Sequence, residues 1–126
     1  MKMILYGLVL AALPISAATA QSMNAEVFHK RAVALKKKGP MAIFSRGEIR
    51  QLMSEGKAAG MKAREQRLAA VGAGRKPAYC PLNASDKIQS DEFMTRLAAI
   101  PAADRAKMTM TQAVTRILAA KFPCPA

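Results

Sequence analysis

The chain has 126 residues, 20 Lys and Arg against 8 Asp and Glu for a net charge of +12, and about half its residues are apolar. With two cysteines and a single histidine it shows no metal-ligand cluster and no nucleophile, base and carboxylate set, so the composition argues against an enzyme and against a cofactor or metal. Its few aromatic residues form no stacking pattern, which argues against nucleic acid as the partner.

Residues 1 to 20 read as a secretory signal peptide. Lys2 gives the positive start, Met3 to Ile15 an apolar run, and Ala18-Thr19-Ala20 an A-x-A cleavage site before Gln21. The apolar run is short of the roughly 20 residues of a membrane span and is interrupted by Pro14. Cleavage after Ala20 leaves one domain, residues 21 to 126, in the periplasm or outside the cell. Only Lys2 is lost, leaving 19 basic against 8 acidic side chains, a net +11. That excess fits an acidic protein face or an anionic envelope surface as partner. In an oxidising compartment the two cysteines, Cys80 and Cys124, most simply form one disulfide. A loop of that size stabilises by about 4 kcal/mol on chain entropy. A catalytic thiol would want a base nearby, and His29 is distant in sequence.

Taken in order, Asn24 can N-cap a first helix, with Glu26 in its first turn, Lys36 to Lys38 at its end, and Val27, Phe28 and Leu35 on its apolar face. Gly39-Pro40 stops it. His29 is a lone, surface-compatible histidine and takes no role. Ser45-Arg46-Gly47-Glu48 has the S-x-x-E pattern of a capping box, opening a second helix with Ile49, Leu52, Met53, Gly56, Ala59 or Gly60, Ala63 and Ala70 on one stripe. The Gly56-x-x-x-Gly60 face, surrounded by Lys57, Lys62, Arg64, Glu65 and Arg67, is expected to pack closely on a neighbouring water-soluble helix. Residues 71 to 76 close that helix, and the prolines at 77 and 81 keep the stretch around Cys80 extended. Asn83-Ala84-Ser85 matches a glycosylation sequon by pattern only.

Ser90 is the expected cap of a third helix, with Asp91 and Glu92 complementing its dipole and Phe93, Met94, Leu97 and Ala98 facing inward up to Ile100-Pro101. Asp104 and Arg105 fall in a connector that can itself be one helical turn. A last helix from Thr109 or Thr111 to Phe122 offers Met110, Val114, Ile117, Leu118 and Phe122 to the core, and Met108 and Met110 read as packing residues and not as a soft-metal site. No segment alternates like a strand. The expectation is an all-α fold, a small bundle of about four helices tied by one disulfide.

The run Tyr79-Cys80-Pro81, Ser90-Asp91-Glu92-Phe93 with Leu97, Ile100-Pro101, and Ala113-Val114 through Ile117-Leu118-Ala119-Ala120-Lys121-Phe122-Pro123-Cys124 resembles the Rap/Tai family of periplasmic type VI secretion immunity proteins. The likeness spans roughly residues 50 to 124. It implies an all-helical fold stapled by a Cys80–Cys124 disulfide, no catalysis, and a protein, often a homodimer, that covers the active site of a peptidoglycan amidase effector. The alternative from a different class is a general envelope-stress protein, either a periplasmic chaperone or a polyanion-binding factor. An acid-triggered chaperone needs abundant carboxylates, and this chain has 8. Within the loop between the second and third helices, Arg75 and Lys76 are the candidate partner-binding residues, because recognition is commonly carried by loops on a rigid scaffold.

Overall fold

The structure is a computed structural model, and it describes residues 22–83 and 86–126. The expected signal peptide lies outside the described residues, as do Ala84 and Ser85 of the sequon. The fold is all-α: α1 spans Ala25–Lys37, a 3-10 turn Gly39–Ser45, α2 Arg46–Gly72, α3 Ser90–Ala99, α4 Ala102–Arg105 and α5 Met110–Lys121. Among the described residues the only pairing of strand type is one isolated antiparallel bridge between Asn24 and Thr109.

Helix α2 is the spine, and α5 makes the most extensive packing against it. The buried residues of α2 are Leu52, Ala59, Ala63 and Ala70, a narrow stripe recurring at helical spacing. α5 answers with Met110, Ala113, Val114 and Ile117. Phe28 of α1, Leu97 of α3, Ile100 and Tyr79 complete the core. The small side chains on α2 let the two long faces approach closely, while the bulk comes from the other helices.

Two N-caps face each other across the bridge. The Asn24 carboxamide oxygen accepts from the backbone N–H of Glu26 and Val27, starting α1. The Thr109 hydroxyl and the Gln112 side chain form a reciprocal capping box at α5. Between them, Ala25 N–H donates to the Met108 carbonyl at 2.9 Å and Met110 N–H to the Met23 carbonyl at 2.7 Å. The Ser22 hydroxyl adds a third tie by accepting from the Thr111 N–H at 3.0 Å.

The disulfide joins Cys80 and Cys124 with their Cα atoms 4.8 Å apart. Cys80 N–H donates to the Phe122 carbonyl beside it at 2.8 Å, so the stretch leaving α2 is fastened to the end of α5 by two different bonds.

Several local expectations give way to tertiary contacts. The Ser45–Glu48 capping box does not form. Ser45 has φ −110° and ψ 39° at the end of the 3-10 turn and makes no capping bond, and its hydroxyl instead accepts from Lys38 Nζ at 2.8 Å. Glu48 is drawn to Arg31 of α1, which donates from Nε at 2.6 Å and from a second guanidinium nitrogen. Gln89, not Ser90, occupies the N-cap position of α3, again without a side-chain bond. Met53, Val27 and Ala98, expected inside, are exposed. His29 is half-buried, and burial, followed by the charge of Arg105, holds its pKa below the usual histidine range.

Candidate functional site

The feature best suited to recognition is an open groove of about 720 Å³ bounded by α2, the 79–90 segment, α3 and α5. Its floor is the outer layer of the core: Phe28, Leu52, Phe93, Met94, Leu118 and Phe122 reach it. The Phe28 and Phe93 rings, both on the lining, meet edge to face with centroids 6.4 Å apart.

One wall is α2, where Gly56 and Gly60 stand a turn apart between Met53 and Met61. Of the small-residue stripe expected to pack on a neighbouring helix, Ala59, Ala63 and Ala70 are buried, whereas Gly56 and Gly60 face the groove. A Cβ built on Gly60 would meet nothing within 4 Å, and one on Gly56 would only graze the edge of Phe28 at 4.0 Å. The glycines therefore expose helix backbone to the groove. Met53 and Met61, which flank them, are 71% and 64% exposed, flexible apolar side chains that adapt to what lies beside them.

Charge on the groove is lopsided. Lys57, Arg64, Arg67 and Lys87 line it, and Asp86 is the one carboxylate among the described lining residues. Asp86 is itself engaged, accepting from the Asn83 N–H at 2.9 Å. Arg67 lies with its guanidinium 5.3 Å from the centroid of the buried Tyr79 ring, which holds the cation in place. Its Nε is buried without a hydrogen-bond partner among the described residues.

Behind the groove, Glu92 in the first turn of α3 accepts from both Lys121 at the end of α5 and Arg96 one turn along α3. The hydrogen bond from Lys121, reinforced by Arg96, holds the Glu92 carboxyl below the usual carboxylate range. Reading Glu92 only as a dipole complement misses this clamp, because Lys121 is 29 residues away in sequence.

Arg75 and Lys76 are exposed on the stretch after α2, where Gly74 turns the chain at φ 71°. Neither lines the groove. A second depression, about 850 Å³, lies between the start of the described chain, α2 and α5, with Glu55, Lys62, Gln66, Thr115 and Arg116 on it. Among the described residues, no aromatic side chain lines it. No group of three or more His, Cys, Asp or Glu side chains able to hold a metal ion occurs among the described residues. No protein-family model, curated protein or solved structure matches this chain.

Proposed function

We propose that the chain is an exported, non-catalytic binding protein, an immunity protein of the Rap/Tai type that inhibits a peptidoglycan amidase toxin by covering its active site. The observation that carries the binding part of this reading is the groove, with its aromatic floor, bare helix backbone and cationic edge. That combination suits an apolar segment flanked by acidic side chains, because apolar burial supplies affinity and charge selects the partner. The amidase as target rests on the resemblance in the Tyr79 to Cys124 segment.

A second reading, an envelope-stress chaperone, draws on the methionines at the groove, since Met53 and Met61 can repack around varied sequences.

The deciding experiment is capture from periplasmic and secreted fractions at moderate and high salt, using the native protein and Gly60→Trp. A Cβ on Gly60 meets nothing within 4 Å, so a side chain can be attached there without a clash at its first atom. One stoichiometric amidase that survives high salt, is inhibited by the native protein, and is no longer inhibited by Gly60→Trp supports immunity. Many salt-labile clients that Gly60→Trp also releases favour the chaperone. Capture and inhibition unchanged by Gly60→Trp would remove the groove from either account.

A further inference from the structure

We propose that the 3-10 turn Gly39–Ser45 is a docking tip for an anionic phospholipid surface. The turn connects α1 to α2 and buries none of its residues. Met41, Ile43 and Phe44 are 62%, 55% and 81% exposed. Exposing three large apolar side chains within four positions opposes the hydrophobic effect and marks a surface that is covered in use.

The backbone fixes their presentation. Gly39 takes φ 53°, a left-handed conformation that reverses the chain out of α1, and Pro40 starts the turn. Lys38 Nζ then bonds the Ser45 hydroxyl, closing the base of the turn. Around that base lie Lys36, Lys37 and Lys38 at the end of α1 and Arg46 and Arg50 at the start of α2, five cations. Glu48 is the one carboxylate from residue 36 to 50, and Arg31 neutralises it.

An apolar point inside a cationic collar matches the boundary of an anionic bilayer, where aliphatic and aromatic side chains enter the acyl edge and cations stay with the phosphates. A folded protein fits the tip less well. A stable protein interface covers about 800 Å² on each partner, more than a seven-residue turn presents. No helix among the described residues is long and apolar enough to cross a membrane, so the contact is interfacial.

The chain has no tryptophan, so Phe44→Trp places a single reporter on the tip. With vesicles of 30% phosphatidylglycerol in phosphatidylcholine its emission shifts to the blue, and with phosphatidylcholine alone it does not. In sedimentation with the same vesicles, Ile43→Ser/Phe44→Ser lowers binding tenfold or more, and Lys36→Gln/Lys37→Gln lowers it roughly 25-fold. Leu68→Ser, an exposed apolar change on α2 away from the turn and the groove, leaves binding as it was. The proposal is overturned by no blue shift on anionic vesicles, by equal binding of the serine double variant (which would show adsorption by charge alone), or by that variant losing a protein partner while keeping vesicle binding.

Discussion

Arg105 Nε donates to Glu26 Oε2 at 2.7 Å, joining the end of α4 to the first turn of α1. The same guanidinium donates from a terminal nitrogen to the Leu97, Ala98 and Ile100 carbonyls at the C-terminal end of α3 and its cap. One buried side chain thus closes one helix, begins another and is itself satisfied by both. Arg105→Met is expected to cost about 3 kcal/mol, since it strands buried carbonyls as well as the carboxylate. Arg105→Lys recovers little of that, because an ammonium cannot reproduce the planar fork. Urea unfolding of both variants checks this, and a lysine variant as stable as the native protein would contradict it.

The two S/T-x-x-E/Q boxes provide an internal comparison. Thr109→Ala should lose about 1 kcal/mol, the ordinary worth of a formed cap. Ser45→Ala should be close to neutral, because that box is open. Chemical denaturation of the pair side by side decides the matter, and equal losses would mean that Ser45 caps α2 in solution.

Local and non-local determinants separate clearly at these positions. Asn24, Gly39-Pro40 and the Ile100-Pro101 stop were legible because each acts within a few residues. The core face of α5 was equally legible from its 3.6-residue period, and the single disulfide from the cysteine count. Ser45 departs from its local pattern because the 3-10 turn sets its backbone and Lys38 takes its hydroxyl, and Glu48 because Arg31 lies on another helix. The groove had a signal in Gly56-x-x-x-Gly60 between two methionines. Spacing alone says that a close approach is allowed, but not whether the approaching helix belongs to this chain. Arg105 left no such mark, since its partners lie on α1 and at the end of α3.

Acid should weaken the fold in two stages. His29 is held below its ordinary 6.5 by burial and then by Arg105, so below about pH 6.5 the unfolded chain takes up a proton that the folded one resists, and stability begins to fall. Glu26, Glu48 and Glu92 are held below their ordinary 4.5, chiefly by hydrogen bonds from Arg105, Arg31 and Lys121 respectively. A depressed carboxylate contributes stability above its unfolded pKa, and that contribution is lost as pH falls through the folded value. Urea midpoints between pH 7.5 and 3 should therefore decline gently and then steeply. His29→Ala should remove the gentle part, and a midpoint that rises on acidification would refute the assignment.

Reduction tests the other staple. The Cys80–Cys124 bridge spans 44 positions and encloses α3, α4 and α5. Cys80→Ala/Cys124→Ala should lose about 4 kcal/mol on chain entropy, comparable to the net stability of a small domain. Circular dichroism during a urea titration, with and without reductant, measures it. Native protein in reductant should match the double variant.

Both ends of the described chain are fastened to one short helix. Ser22 and Met23 are bound at the start of α5, and Cys124 leaves just beyond its end. The twelve residues of α5 make a strut of about 18 Å. Tension applied at the two ends would run mainly along that strut, and α1, α2 and α3 would hang from it largely unloaded. The first elements to give way would be the few hydrogen bonds at Ser22 and Met23. The molecule is therefore mechanically short-circuited: its weakest point under load is the stitch at its beginning, and the load runs along the α5 wall of the groove.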